Sequence, residues 1–227
     1  MVNESKNMKQ RIIDYSLYLV TDRGLACGRP TLEIVQAAVH GGVTCVQLRE
    51  KECSTREFIE QALAIKAFLK ARGVPLIIND RVDVAMAVAA DGVHLGQSDM
   101  PLTAAREILK GAMIIGVSAE SIQDAIDAER GGADYLGVSP IYATPTKTDT
   151  GPPIGLSGLR AIREAVKIPL VGIGGLNRGN SNDVIRNGGD GVAVVSAIVG
   201  AADPGQAARD LKRIIDGVRR NDVTRDR

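Results

Sequence analysis

Gln47, Arg49 and Lys51 alternate in the segment Gln47-Leu-Arg-Glu-Lys51. The two-residue period of a strand puts these three side chains on one side and Leu48 and Glu50 on the other. An amide and two cations converging in this way suit a phosphate or pyrophosphate, the guanidinium acting as a planar fork and the ammonium as a point charge. The plainer alternative is a solvated strand end with an Arg–Glu ion pair. It leaves unexplained why charge should point inward, which is unfavourable without a partner. Asp80 and Asp99 each follow a short apolar run and stand just ahead of an amphipathic one. Singly, each reads as a helix N-cap. Together, beside the cations, they can hold Mg2+, which takes one or two carboxylates and completes its shell with phosphate oxygens and water.

A second anion site is suggested by Gly172-Ile-Gly-Gly175 and Val195-Ser196, which fall where barrels receive a phosphate through backbone amides. Between the two sites lies 139–153, which has neither helical nor strand periodicity and carries four threonines, four prolines and the single cation Lys147. A connection of that length is a lid or binding loop, or else an ordinary surface excursion. His94, inside Gly92-Val-His-Leu-Gly96, reads as a hydrogen-bonded residue of the interior rather than a ligand, and His40 as structural. No Ser/His/Asp or Cys/His arrangement surrounds these motifs, so no protein nucleophile is indicated.

Positioning these groups falls to short apolar runs at 17–20, 43–48, 75–78, 92–95, 113–117, 135–138, 168–173 and 191–195. Each is too short for a helix, rich in β-branched residues or flanked by glycine, and followed by a longer amphipathic segment, the pattern of repeated βα units. Helix starts are marked too. Ser54-Thr-Arg-Glu57 is a capping box ahead of Phe58, Ile59, Ala62, Ile65 and Leu69, Ser121 opens a segment ending at Gly131-Gly132, and Thr31 opens one ending at Gly41-Gly42. Eight βα units without a break in composition predict one closed parallel (β/α)8 barrel over residues 15–217, with a doubly wound open sheet satisfying the same count. Residues 1–14 read as a polar arm and 218–227 as a charged tail. In such a barrel, strand C-termini carry chemistry, and the polar residues collect there.

Composition narrows the function. With 28 basic and 27 acidic residues the net charge is +1, which offers no global field for nucleic acid or a membrane surface. Aromatics are 3% and tryptophan is absent, which removes the stacking platforms of single-strand nucleic-acid binders. No apolar run is long enough to span a bilayer, and the first ten residues are polar. Cys27, Cys45 and Cys53 are odd in number and lack metal-ligand spacing, as suits reduced thiols in the cytoplasm. Small-molecule substrates are the expected partners. A homo-oligomer stays open, because pattern alone does not separate an interface from a core.

Leu19-Val-Thr-Asp22, Gln47-Leu-Arg-Glu-Lys51, Asn79-Asp80, Gly92-Val-His-Leu-Gly-Gln-Ser-Asp99, Ile115-Gly-Val-Ser118, Thr144-Pro-Thr-Lys147 and Val171-Gly-Ile-Gly-Gly175 together resemble the thiamin phosphate synthase family. The resemblance covers about residues 16–217 in order and spacing. It implies a transferase of thiamine biosynthesis that couples a hydroxymethylpyrimidine pyrophosphate to a thiazole phosphate, carboxylated or not, and releases pyrophosphate. By the same resemblance, Gln47, Leu48, Arg49, Glu50, Lys51, Asn79, Ser118 and Lys147 would bind the pyrimidine pyrophosphate. Thr144, Pro145, Thr146, Gly175, Val195 and Ser196 would bind the thiazole phosphate, and Asp80 and Asp99 would hold Mg2+, one per subunit. The catalytic set would be Arg49, Lys51, Ser118 and Lys147. One departure stands out: Ala119-Glu120 follows Ser118 where the similar thiazole tautomerases carry a histidine, which argues against proton-transfer chemistry of that kind.

Overall fold

The computed structural model describes residues 13–144 and 151–223, with side chains to residue 220. Its strands are β1 (Leu17–Val20), β2 (Cys45–Leu48), β3 (Leu76–Asn79), β4 (Gly92–Leu95), β5 (Ile114–Ala119), β6 (Tyr135–Val138), β7 (Leu170–Gly172) and β8 (Gly191–Val194). All pair in parallel with their sequence neighbours, and β8 returns to β1, so the barrel is closed and the open-sheet alternative falls. Several strands start later than the apolar runs that announced them. Thr44 and Pro75 lie just outside β2 and β3, and β7 is three residues long.

A repeated device ties the strand N-termini together. Thr44, Asp91, Asp134 and Asp190 each immediately precede an even-numbered strand, and each side chain accepts from the N–H of the first or second residue of the preceding odd strand. The bonds are Leu17 N to Thr44 Oγ1 at 3.1 Å, Leu76 N to Asp91 Oδ2 at 2.9 Å, Ile115 N to Asp134 Oδ2 at 2.7 Å and Leu170 N to Asp190 Oδ2 at 2.8 Å. The backbone N–H of the same four residues returns the bond to the carbonyls of Leu17, Leu76, Ile115 and Leu170. An acidic or hydroxylic residue is therefore held at each of these positions by backbone groups that would otherwise go unpaired.

Helices cover the outside. α1 (Thr31–His40), α2 (Thr55–Lys70), α3 (Val82–Ala87), α4 (Leu102–Leu109), α5 (Ile122–Arg130), α6 (Gly155–Ala165), α7 (Ser181–Arg186), α8 (Ser196–Val199) and α9 (Pro204–Val223) follow their strands. The two serine caps form as the sequence suggests, Ser54 Oγ accepting from Glu57 N at 3.2 Å and Ser121 Oγ from Asp124 N at 3.1 Å. The Glu57 carboxylate reaches Arg23 Nη1 at 2.7 Å, so the Ser54 box is closed on one side only. α9 continues through the position at which a tail was expected, and Val218 is buried.

Apolar side chains form two shells. The larger lies between sheet and helices and includes Leu48, Phe58, Ile65 and Leu76. Each fully buried side chain of this kind contributes roughly 1.5–3 kcal/mol. The smaller shell lies inside the barrel and is built on Tyr15, Tyr18, Cys45, Ile77 and Tyr135. Tyr15 packs on Tyr135 with ring centroids 4.6 Å apart.

Candidate active site

A cavity of about 330 Å³ opens at the C-terminal mouth of the barrel, and every strand sends it a residue from its end or from the loop that follows. Its cationic side comes from β2. Gln47 is buried and faces inward, and Arg49 and Lys51 follow it onto the cavity wall. Arg49 is held on both ends: its N–H donates to Thr21 Oγ1 at 3.0 Å and its Nη1 to Asp22 Oδ2 at 2.8 Å. Lys51 Nζ donates to Asp80 Oδ2 at 2.9 Å.

Leu48 and Glu50 take the opposite face, as their parity requires. Leu48 is fully buried in the outer shell and neither side chain lines the cavity, so any part they take in binding goes through the backbone. The Arg–Glu pair anticipated at this strand end exists with a different arginine. Glu50 Oε2 accepts from Arg23 Nε at 3.0 Å, its side chain is 1% exposed, and its Oε1 has no hydrogen-bond partner among the described residues. Burial, ahead of the opposing pull of Arg23, pushes the Glu50 carboxyl above its ordinary value of 4.5. A folded-state value raised in this way favours folding fully below pH 4.5, and the contribution is lost as pH rises through the folded value. Glu50→Gln is accordingly expected to flatten the stability–pH curve just above that point, read as denaturation midpoints across the weakly acid range.

Asp80 and Asp99 meet beside Lys51. Neither caps a helix, since α3 follows Arg81 and α4 follows Pro101 without a side-chain cap. Asp99 Oδ2 instead accepts from Gly96 N at 2.8 Å. Burial first, and then the adjoining Asp80 carboxylate, hold the Asp99 carboxyl above its usual range, against the pull of the Gly96 amide and Lys51. Asp80 sits at φ +63°, a left-handed conformation that an L-residue adopts at some cost and that persists where the surroundings over-determine it. Two carboxylates in contact beside a lysine are a donor set for a hard divalent cation that brings water and phosphate oxygens with it. Among the described residues, no group of three or more His, Cys, Asp or Glu side chains offers a closed metal cage.

The other side of the cavity is made of backbone and small side chains. Gly174, Gly175, Val195 and Ser196 line it, together with Thr144. The loop after β6 is fastened to the loop after β7: Ile141 N donates to Ile173 O at 2.9 Å, and Tyr142 N to Gly174 O at 3.1 Å. The Ser139–Pro140 peptide is cis. A Cβ on Gly174 would stand 2.7 Å from that of Pro140, so the close approach of the two loops depends on glycine there. Pro145, Thr146 and Lys147 lie outside the described residues.

Of the anticipated side chains, the cavity thus gathers Gln47, Arg49, Lys51, Asn79, Asp80, Asp99, Ser118, Thr144, Gly175, Val195 and Ser196. His94 is a hydrogen-bonded interior residue, with Nδ1 2.9 Å from Tyr135 Oη and Nε2 3.1 Å from Ser118 Oγ. Tyr18 and Tyr135, which also line the cavity, were not anticipated, and neither were Gln97 and Glu120. A tyrosine inside a short apolar run reads as core, and only the strand register reveals that two of the chain's four tyrosines meet across the barrel. Glu120, where the sequence departs from the tautomerase pattern, lines the cavity, and Ala119 beside it is buried in the outer shell.

Comparison with known proteins agrees with this geometry. The sequence model described as thiamine monophosphate synthase matches residues 17–198. The thiamine-phosphate synthase of Albidiferax ferrireducens is 57% identical over 202 residues, covering 89% of this chain and 92% of that protein. That of Chloroflexus aurantiacus is 55% identical, covering 90% and 94%. Among solved structures, a thiamine phosphate pyrophosphorylase from Pyrococcus furiosus superposes with a TM-score of 0.84 at 43% identity, covering 90% of this chain and 97% of that one. A 3-hexulose-6-phosphate synthase, 20% identical with a TM-score of 0.67, shares the fold alone. The barrel, its two-sided cavity and these likenesses place the chain in the thiamine monophosphate synthase family.

Proposed function

We propose that the protein is a transferase that joins a hydroxymethylpyrimidine pyrophosphate to a thiazole phosphate and releases pyrophosphate, in the cytoplasm. The observation that carries this reading is the division of one cavity into a cation–carboxylate side and a glycine-rich side, suited to two phosphorylated substrates. The bond between the pyrimidine methylene and the pyrophosphate oxygen breaks, and its electron pair leaves with the pyrophosphate. The electron-rich aminopyrimidine supports the methylene cation, and the thiazole nitrogen supplies the pair for the new C–N bond.

Arg49 and Lys51 are preorganised by Asp22 and Asp80, so their charge faces the departing group without reorganisation at the moment of reaction. Asp80 and Asp99 fit Mg2+, one per subunit, which would neutralise charge accumulating on the pyrophosphate. Asn79 and Ser118 add polar contacts on the same side. The amides of Gly175 and Ser196, with Thr144, receive the thiazole phosphate. By the family resemblance Pro145 and Thr146 would contact the thiazole phosphate and Lys147 the pyrophosphate, and exclusion of water from the cavity would protect the cation.

The test is a coupling assay with both substrates, with and without Mg2+. Folded protein that forms no thiamin phosphate would overturn the reading. Lys147→Ala is expected to depress turnover strongly while shifting stability by no more than about 0.5 kcal/mol. Normal turnover with a large loss of thermal stability would remove Lys147 from the reaction.

A further inference from the structure

Five side chains from five strands form an unbroken hydrogen-bond chain across the barrel interior. Gln47 Nε2 donates to Tyr18 Oη at 3.0 Å, Tyr18 Oη lies 2.9 Å from Tyr135 Oη, and Tyr135 Oη lies 2.9 Å from His94 Nδ1. His94 Nε2 then lies 3.1 Å from Ser118 Oγ, which lines the cavity. Tyr18 and Tyr135 are fully buried, and both Gln47 and His94 are at the edge of burial. A buried polar chain of this length is favourable only if each member is satisfied, so its direction matters.

The direction follows from its first member. An amide NH2 can only donate. Tyr18 therefore accepts from Gln47, which leaves its own proton for Tyr135 or for the neighbouring Cys45 sulfur; with that proton given to Tyr135, the Tyr135 proton is available to His94 Nδ1. An imidazole that accepts at Nδ1 carries its proton on Nε2 and gives it to Ser118 Oγ, and the serine proton is left to point at an acceptor in the cavity. Burial, the first cause in each case, pushes both phenols well above their ordinary range, so each has a proton to give. The buried thiol of Cys45, beside Tyr18, is also kept protonated by burial.

The backbone makes room for this chain. A Cβ on Gly116 would stand 2.1 Å from Tyr135 Cζ, and one on Gly137 would stand 3.0 Å from His94 Cε1. Glycine at both places lets the phenol and the imidazole lie against the sheet.

We propose that Tyr18, Tyr135 and His94 are positioning residues: a one-way hydrogen-bond chain anchored by Gln47 holds His94 as its Nε2–H tautomer and thereby turns the Ser118 hydroxyl proton toward the substrate. Only the last step, the use of that proton on the pyrimidine pyrophosphate, rests on the proposed coupling reaction. The tautomer is a property of the protein alone and is tested without substrate.

The chain contains two histidines, and His40 is an exposed residue at the end of α1. A His40→Gln variant therefore leaves His94 as the sole imidazole, and nitrogen–proton correlation NMR of the isotope-labelled ring reports its tautomer. The Nε2–H form is expected in that variant. Tyr18→Phe, a smaller change, is expected to abolish the preference. Gln47→Glu, whose carboxylate only accepts, is expected to reverse the chain and move the proton to Nδ1. A proton already on Nδ1 in the His40→Gln protein, or a tautomer unmoved by Tyr18→Phe, would overturn the proposal even if Gln47→Glu does not fold.

In the coupling assay, Tyr135→Phe is expected to lower kcat roughly 10-fold with little change in KM. In a Ser118→Ala background the same substitution should have no further effect. Equal losses in both backgrounds would mean that Tyr135 acts on packing and would overturn its positioning role. Absence of coupling by the unsubstituted protein would count against the proposed function and leave the tautomer result standing.

Discussion

Asp99→Asn is expected to lower coupling activity roughly 10²-fold or more, on the scale seen when one preorganised electrostatic group is removed. The substitution keeps the shape of the site, because an amide oxygen can still accept from Gly96 N as the carboxylate does at 2.8 Å. It removes one of two negative charges that face each other beside Lys51. Without a cation those charges repel, so the metal-free variant should be at least as stable as the unsubstituted protein at neutral pH. This is the pattern of a functional site that opposes folding. With Mg2+ and inorganic pyrophosphate at about a hundred times their dissociation constant, the unsubstituted protein should gain about 2.7 kcal/mol. For a chain of this size that is a rise in Tm of roughly 5–10 °C, and Asp99→Asn should lose most of it. A full Mg2+-dependent shift in Asp99→Asn would exclude Asp99 from metal binding.

Gly116→Ala should act through the interior instead. The new methyl would meet the phenol of Tyr135 at 2.1 Å, and its hydroxyl oxygen at 2.4 Å. Tyr135 is wholly buried and packed on Tyr15, so it has no open space to enter. Overpacking of this kind typically destabilises by about 1–3 kcal/mol, sometimes more, which corresponds to a Tm lower by roughly 2–12 °C. Displacing the phenol also breaks its contact with His94, so activity should fall beyond what the loss of stability explains at temperatures well below the transition. A Gly116→Ala protein of normal Tm and normal turnover would show that the ring can shift without consequence.

Much of this architecture was legible because period and placement carry it. The strand parity that sent Gln47, Arg49 and Lys51 inward also sent Leu48 into the outer shell and Glu50 toward Arg23. The polar ends of successive apolar runs converge because a closed parallel barrel brings them together. What parity could not give is the partner. Glu50 pairs with Arg23 and Arg49 with Asp22 because the loops after β1 and β2 lie side by side, which no local pattern encodes. The Tyr18–Tyr135 contact joins residues 117 positions apart and depends on β1 and β6 facing each other across the interior. The aspartates ahead of β4, β6 and β8 were in plain view in Asp91-Gly92, Asp134-Tyr135 and Asp190-Gly191. Their common task appears only when the neighbouring strand supplies the N–H.

Those residues, with Thr44, divide the barrel end opposite the cavity into four equivalent strand pairs: β1 with β2, β3 with β4, β5 with β6 and β7 with β8. The mouth has no such regularity, since each strand end there bears a different group. The molecule is thus modular at its base and individual at its rim. At the base the repeated unit is a pair of strands, whereas the unit of chemistry is the whole ring. The side-chain bonds at the base join strands two by two, while the cavity at the rim draws on all eight.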